Sequence, residues 1–150
     1  MTSPEVKLTV LHPDACIPSY AHHNDAGADL TSVETVTLEP GQRCLVHTGI
    51  AIALPDNLVA LVHPRSGLAL KHGIGMVNAP GTIDAGYRGE IMVLLINHDS
   101  RTAVTLPAGT RIAQLVIQEV LQPVFTVVDE LPESVRSTGG FGSTGTIDAS

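Results

Sequence analysis

The 150-residue chain has few cysteines and few aromatic residues, and each shortage excludes certain classes of fold and site. Two cysteines, Cys16 and Cys44, do not make a disulfide framework or a zinc site, and a domain of this length folds without disulfide or metal cross-links. We expect both thiols to be reduced, as in the cytoplasm. Two Tyr, two Phe and no Trp leave the core to aliphatic and β-branched side chains, which favour strands.

Positive charge and long apolar runs are also scarce. Eight Lys and Arg against fifteen Asp and Glu give a formal net charge of −7, which excludes a broad basic face for nucleic acid or an anionic membrane. A small anionic ligand held by a few cations remains open. Met1–Val10 has no signal-peptide core, and the longest aliphatic run, Ile91–Ile96, is too short to cross a bilayer. The sequence predicts a cytoplasmic protein.

Short apolar or alternating runs, separated by Pro, Gly, Asn and Asp, predict an all-β domain, an antiparallel sandwich or barrel. The continuous run Ile91–Ile96 predicts a strand covered on both faces, with another subunit as one possible cover. Ser66–Lys71 predicts one or two helical turns that end before Gly73 and turn free N–H groups towards an anion. The predicted strands are Val6–Leu11, Val33–Leu38, Arg43–Thr48, Ile50–Leu54, Leu58–His63, Glu90–Asn97, Arg111–Val120 and Val124–Val128.

The composition changes near the C-terminus. Residues 137–146 are Gly, Ser and Thr except for Phe141, and Arg136 stands just before them. This predicts one β domain over residues 1–135 and a flexible tail over residues 136–150. An arginine and an aromatic ring are unusual in a plain linker.

No common nucleotide motif occurs in the chain, and its histidines lack the spacing of metal ligands. What remains is a set of short polar segments at strand ends. Each alone has an ordinary explanation as a turn or a cap. The segments are Ala26–Leu30, Pro64–Gly67, Gly81–Ile91, Arg111–Leu115 and the tail from Arg136.

Together, in this order and spacing, the five segments resemble the motifs of the trimeric dUTP pyrophosphatase (dUTPase) family over about Val6–Gly145. The third, Gly-Thr-Ile-Asp-Ala-Gly-Tyr-Arg-Gly-Glu-Ile, is specific on its own. The resemblance implies a jelly-roll-like β fold of the β-clip type, with one short helix, assembled as a homotrimer with active sites at its subunit interfaces. It also implies Mg²⁺-dependent hydrolysis of dUTP to dUMP and pyrophosphate, which keeps uracil out of DNA and supplies dUMP for thymidylate synthesis.

The resemblance assigns roles around the phosphates. Asp84 matches the carboxylate that activates the water attacking the α-phosphate. Asp29 matches the aspartate that holds hydrated Mg²⁺ through water, as suits an ion that keeps much of its water shell. The matching phosphate-binding residues are Arg65, Ser66, Gly67 and Gln114.

The base, the sugar and the tail receive roles in the same way. The Gly73–Tyr87 segment matches a tight hairpin that reads the uracil edge with Asn78 and Ile83, and Tyr87 stacks against the deoxyribose. In the tail, Arg136 matches the arginine that clamps the γ-phosphate, and Phe141 matches the ring that covers the uracil. Gly142 and Ser143 complete the tail's predicted contacts. The tail is expected to fold over the bound triphosphate, in a site of a neighbouring subunit.

Three charged residues of the motifs stay outside the predicted site. Arg88 and Glu90 are explained by pairing with each other or with a neighbour, and Arg111 by trimer packing.

Two alternative functions are weighed against dUTP hydrolysis. A dCTP deaminase of the same fold needs a catalytic Glu on the strand after the third motif, where this chain has Leu94 and no acid from Ile91 to Ile96. A domain that only binds nucleotide or protein would have lost motif residues, and all of them are present.

Overall fold

The computed structural model describes residues 3–140, and nearly all of their regular structure is β. The predicted all-β class with one short helix is therefore confirmed. In chain order the elements are β1 (Lys7–Val10), β2 (Gly27–Thr31), β3 (Val36–Leu38), β4 (Arg43–Ala53), β5 (Leu58–Pro64), α1 (Ser66–His72), β6 (Ile74–Met76), β7 (Gly81–Ile83), β8 (Glu90–Asn97), β9 (Val104–Leu106) and β10 (Arg111–Glu119).

The strands form two four-stranded sheets and one two-stranded sheet, all antiparallel. The first sheet has the order β1-β4-β8-β6, and the second has the order β2-β10-β5-β7. Strands β3 and β9 pair separately. Sequential strands lie mostly in different sheets, so the chain crosses repeatedly between layers, as in a jelly-roll sandwich.

The core between the sheets is aliphatic, as the shortage of aromatic residues predicts. Its fully buried side chains include Leu30, Leu38, Ile50 and Val93. Three polar side chains are buried with them, Ser32, Thr48 and Asn97. Asn97 donates from Nδ2 to the carbonyl oxygens of Leu38 and Thr102, at 3.0 and 2.8 Å. Its amide is satisfied, so its burial costs little.

Strand β8 shows alternating burial. Ile91, Val93 and Leu95 are buried, whereas Met92, Leu94 and Ile96 are half-buried. Within one chain, only one face of the predicted two-sided strand is covered.

Several predicted boundaries were wrong. Arg43–Thr48 and Ile50–Leu54 form one strand, β4, with an irregularity around Gly49, whose φ is +71°. Four strands were missed because three residues, or an Asp-containing segment, give no clear alternation: β2, β6, β7 and β9. Val124–Val128 forms no strand here.

The predicted helix is confirmed as α1, one residue longer than expected. Its C-terminal cap is Gly73, in the left-handed conformation with φ +65°, and the Gly73 N–H donates to the carbonyl oxygens of Ala69 and Leu68. Glycine is suited to this cap because it has no Cβ to strain.

Among residues 3–140 no helix is long and apolar enough to span a membrane.

Candidate active site

A cavity of about 220 Å³ brings together four of the predicted site residues: Asn78, Ile83, Asp84 and Tyr87. Strand β7 ends at Ile83, so Asp84 is the first residue released from the sheet. The Tyr87 N–H donates to the Asp84 carbonyl oxygen at 3.0 Å and closes a turn that keeps both side chains at the cavity.

The predicted tight hairpin over Gly73–Tyr87 takes a different form. Strand β6 pairs with β8 in the first sheet, and β7 pairs with β5 in the second, so the two strands are not ladder partners. The connection between them carries Asn78 and a cis peptide bond at Ala79–Pro80. It is a corner between two sheets, and the cavity lies beneath it.

Tyr87 is held in place by its neighbours in the chain. Its hydroxyl donates to the Glu90 carbonyl oxygen at 3.0 Å. A Cβ on Gly89 would lie 2.4 Å from the Tyr87 hydroxyl oxygen, so only glycine admits this position of the ring. Arg88 donates to the carbonyl oxygens of Ala85 and Tyr87 and caps the same turn.

A second group of site residues lies at the other end of the second sheet. Asp29 on β2 is the direct cross-strand partner of Gln114 on β10, so their side chains share one face. The Asp29 carboxylate accepts charged contacts from Arg65 Nε at 3.6 Å and from Arg111 Nη1 at 3.3 Å. Arg65 also donates from Nη1 to the Arg111 carbonyl oxygen at 3.1 Å. This group is positive overall in an acidic chain, which suits a phosphate ligand.

Three small residues shape this second group. Gly27 leaves room for Gln114, because a Cβ there would lie 3.0 Å from the Gln114 Cβ. Ser66 and Gly67 begin α1 directly after Arg65, and a Cβ at Gly67 would meet nothing within 4 Å. The exposed Ser66 hydroxyl and the first-turn N–H groups therefore stand beside the arginine.

One oxygen of Asp29 fits the predicted magnesium role. Asp29 Oδ1 is buried and accepts no hydrogen bond within residues 3–140; its charged contact with Arg65 Nε, at 3.6 Å, is longer than a hydrogen bond, so the oxygen can still accept one from a ligand water. No three His, Cys, Asp or Glu side chains of the described residues are grouped to hold a metal ion directly. The donor set thus fits a hydrated ion held through water.

The two groups are far apart within one chain. Asp84 follows Ile83, which pairs with Ala60 near the start of β5, whereas Arg65 follows the end of β5. The separation is about six residues of extended strand, or roughly 20 Å. Asp29 is similarly distant from Asp84: three strand spacings across and about four residues along also give roughly 20 Å.

The tail is only partly described. Arg136 is exposed and donates from Nε to the Gly139 carbonyl oxygen at 2.8 Å. The predicted contacts at Phe141, Gly142 and Ser143 lie outside the described residues.

Glu90 is not among the predicted site residues, but the structure places it at the cavity. It pairs with His47, not with Arg88: His47 Nδ1 lies 2.9 Å from Oε2, and the Gly49 N–H donates to Oε1 at 2.8 Å. Partial burial is the largest effect on the Glu90 pKa and raises it, but these hydrogen bonds outweigh it, and the pKa lies below its usual value. The same hydrogen bond raises the pKa of His47.

The sequence also gives no indication of Leu45 and Met92, two residues of the first sheet that form part of the apolar wall of the cavity. No motif marks them, because they approach the third motif only through the folding of β4 and β8. Arg111, assigned to packing, contacts Asp29 directly.

Comparison with known proteins is consistent with this geometry. A family model described as dUTPase matches residues 14–145. The deoxyuridine 5'-triphosphate nucleotidohydrolase of Thermobifida fusca is 61% identical over 140 residues, which are 93% of this chain and 78% of that protein. The corresponding protein of Rhodococcus erythropolis is 58% identical over 140 residues, 93% and 85% of the two chains.

Solved structures match as well. A variant of the Staphylococcus bacteriophage 80alpha dUTPase with dUpNHpp has a TM-score of 0.90 at 29% identity, covering 96% of this chain and all of that one. A dUTPase variant from phage phi11 of S. aureus, described with a structural Mg(II) ion, has a TM-score of 0.80 at 27% identity, covering 86% of this chain and 99% of that one. By the family model and these relatives, the chain belongs to the dUTPase family.

Proposed function

We propose that the protein hydrolyses dUTP to dUMP and pyrophosphate, and so keeps uracil out of DNA and supplies dUMP for thymidylate synthesis. The observation that carries this proposal is the cavity that groups Asn78, Ile83, Asp84 and Tyr87, in a chain of the dUTPase family. The phage 80alpha relative with dUpNHpp supports a deoxyuridine triphosphate as the ligand.

Asp84 is the residue that activates water. Its carboxylate lies at the cavity, directly after β7, where the turn to Tyr87 fixes its backbone. A carboxylate in this place orients a water for in-line attack on the α-phosphate and accepts its proton. General-base assistance of this kind is typically worth about 10²–10⁴ in rate.

The triphosphate is held by the second group. The guanidinium of Arg65 binds phosphate oxygens through paired N–H groups, and Ser66 and Gln114 add neutral donors. Arg65 is already oriented by Asp29 and by the Arg111 carbonyl oxygen. Gly67 lets the backbone approach the phosphates closely.

Asp29 is the residue that holds hydrated Mg²⁺, through its buried Oδ1, which accepts no hydrogen bond in the described residues and lies 3.6 Å from Arg65 Nε. When bound, the ion neutralises charge that develops on the phosphate oxygens. The phage phi11 relative is described with a structural Mg(II) ion, which supports magnesium as an ion that proteins of this family bind.

A complete site draws on more than one subunit. Asp84 and Asp29 are roughly 20 Å apart within a chain, whereas an attacking water must come within about 3.5 Å of the phosphorus. Two copies that place the Asp84 cavity of one against the Arg65 group of the other remove this gap. The distance therefore supports a homotrimer with active sites at its subunit interfaces.

The segment after β10 supports the same assembly. Residues 121–135 carry apolar side chains that the described chain leaves in water: Phe125 is 92% exposed and Val127 is 98% exposed. Exposed apolar segments of this kind are covered by a partner surface in stable proteins. We place this segment against the surface of a second copy.

The tail over residues 136–150 closes the site. Arg136 clamps the γ-phosphate and Phe141 covers the uracil, with Gly142 and Ser143 contacting the substrate. A Gly-rich segment suits this task because it orders only when the ligand is bound, and then excludes water.

The substrate is a free nucleotide in the cytoplasm, and neither nucleic acid nor a membrane is a partner. The net charge of −7 supports this, because nucleic acid and anionic membranes are bound through a broad basic face, whereas Arg65 and Arg111 suit a small phosphate ligand.

Uracil is selected at the corner that carries Asn78. Backbone groups fitted to the uracil edge leave unpaired polar groups against cytosine, which makes that rejection strong. The Tyr87 ring lies against the deoxyribose, where a 2′-hydroxyl would collide.

A product assay tests the proposal. Purified protein with Mg²⁺ is given dUTP, dCTP, dTTP and UTP in parallel, and dUMP, pyrophosphate and ammonia are measured. We expect dUMP and pyrophosphate from dUTP alone. Ammonia from dCTP would establish the deaminase alternative instead, and no turnover by a folded trimer would establish a binding protein.

A further inference from the structure

We propose that Glu90 is a positioning residue that fixes Tyr87 against the sugar and so sets the preference for deoxyribose over ribose. The inference rests on the proposed function for its substrate, and on the contacts of Glu90 for its mechanism. Glu90 lines the substrate cavity and also a second cavity of about 320 Å³, which His47 and Gly49 of β4 line with it. No other described residue lines both.

The Tyr87 ring depends on the exact position of the first residue of β8. Its hydroxyl donates to the Glu90 backbone carbonyl at 3.0 Å, and its ring lies where a side chain on Gly89 would be. Tyr87 is otherwise 44% exposed and its packing is light. A small displacement of the Glu90 backbone therefore moves the ring.

The Glu90 side chain fixes that backbone by bonding to β4. Its two carboxylate oxygens bind the bulge of β4: Oε1 accepts from Gly49 N, and Oε2 pairs with His47 Nδ1. The ladder between β4 and β8 shifts register at this bulge, between His47 and Ala51. Side-chain bonds thus join the two strands where ladder bonds are interrupted.

Glu34 provides a matched control. Its carboxylate accepts from the His47 N–H at 3.1 Å, so it binds the same bulge and lines the same second cavity. It does not line the substrate cavity. A general weakening of the bulge would affect Glu34 and Glu90 variants alike, whereas positioning of Tyr87 belongs to Glu90.

The steady-state test compares E90A, E90Q and E34A with the parent enzyme on dUTP and UTP. For E90A we expect KM for dUTP to rise about tenfold and kcat to change less than threefold, because a loosened ring weakens sugar binding more than chemistry. The preference for dUTP over UTP in kcat/KM is expected to fall about tenfold. E90Q retains an acceptor for Gly49 and is expected to restore most of the preference, and E34A to keep it.

A spectroscopic test does not depend on turnover. The chain has two tyrosines and no tryptophan, so in a Y20F background Tyr87 is the sole source of tyrosine emission. We expect its fluorescence anisotropy to fall when E90A is added and to stay unchanged with E34A. If the protein hydrolyses no nucleotide, the proposed function fails, and the anisotropy still decides whether Glu90 holds Tyr87.

The proposal is overturned if E90A leaves both the anisotropy and the dUTP-to-UTP preference at their parent values. It is also overturned if E34A lowers both as much as E90A does, since the effect is then a loss of bulge stability.

Discussion

The chemistry of single residues in this protein depends on where strands end. Asp84 leaves the sheet one residue after β7, and Arg65 leaves it one residue after β5. Side chains at these points are held by the sheet on one side and are free on the other. Each proposed role can therefore be tested by a substitution that preserves the backbone.

Asp84→Asn should abolish most turnover and keep substrate binding. The amide keeps the shape of the carboxylate and cannot accept the proton of the attacking water, so we expect kcat to fall about 10²–10⁴-fold. Calorimetry with dUpNHpp measures binding separately. The exposed Asp14→Asn is the control and should match the parent. A loss of affinity as large as the loss of rate would contradict the role of Asp84 as a base.

His47 should make the stability of the protein depend on pH. Its hydrogen bond to Glu90 raises its pKa in the folded state, so it stabilises the fold below its ordinary value of 6.5, and the effect is lost as pH rises through the folded pKa. The ring is 48% exposed, so solvent screening limits the gain. We expect H47Q to cost a few tenths of a kcal/mol at pH 6 and less at pH 9.

Urea unfolding at a fixed protein concentration measures this difference. The control is H23Q, because His23 is exposed and has no carboxylate partner within residues 3–140. An equal cost for H47Q at both pH values would show that the His47 ring contributes by packing and not by charge.

At the scale of single residues, the sequence identified motif members more readily than their partners. Asp29, Arg65 and Asp84 stand in recognisable segments and receive roles from them. Glu90 also stands in such a segment, but the sequence predicts for it only a pairing with Arg88 or with a neighbour. Its partners, His47 and Gly49, are more than forty positions away in the chain. A contact between residues so far apart in the chain is created by strand pairing, and no local sequence pattern predicts it.

Among the elements, β4 carries the most informative irregularity. Gly49 has φ +71°, and a Cβ there would lie 2.7 Å from the His12 Cβ and 2.9 Å from the Ala15 Cβ. Gly109 has a similar φ of +83° with nothing within 4 Å of its would-be Cβ. A substitution at Gly109 therefore measures backbone strain alone, whereas one at Gly49 measures backbone strain and crowding together.

Gly49→Ala should therefore destabilise the protein more than Gly109→Ala. A positive φ costs a residue with a Cβ about 1–2 kcal/mol at both sites. Crowding against the loop that contains His12 and Ala15 adds about 1–3 kcal/mol at Gly49 only. Chemical denaturation measures both variants. Equal losses of stability would show that the loop containing His12 and Ala15 moves aside at no cost and that the irregularity of β4 at Gly49 is not rigid.

Element prediction succeeded where the apolar run is long and failed where strands are short. The pattern in Glu90–Asn97 matches β8 residue for residue. Strands β6, β7 and β9 have three residues each, too few to establish a period of two, and β2 includes Asp29. Tertiary pairing, not local preference, makes these segments strands.

The C-terminal tail is an element whose role a deletion can test. Removing residues 136–150 eliminates Arg136 and Phe141 and leaves the exposed apolar segment 121–135 intact. We expect kcat/KM for dUTP to fall at least about a hundredfold, because the site is no longer closed to water. Light scattering should still report a trimer. A monomeric product would show instead that the tail holds the assembly together.

At the scale of the whole molecule, the fold follows from composition and the site does not. An aliphatic, Thr-rich chain with frequent turn residues predicts a β sandwich, and the family resemblance predicts the reaction. The separation of the site into two groups, about 20 Å apart, appears only in three dimensions, because Asp84 and Arg65 lie at opposite ends of β5. In the proposed homotrimer, subunit assembly joins them.

Mixed trimers test this assembly directly. D84N and R65Q are each expected to be nearly inactive alone, since every site lacks either its base or its phosphate clamp. When the two chains are co-expressed in equal amounts, a site that takes Asp84 from one subunit and Arg65 from another is intact in about one case in four. We therefore expect about a quarter of the parent kcat from the mixture, measured as dUMP release per site. A control mixture of D84N with D84A has no intact sites and should stay inactive. Activity of the first mixture no greater than that of its two components would mean that Asp84 and Arg65 act within one chain, contrary to the distance between them.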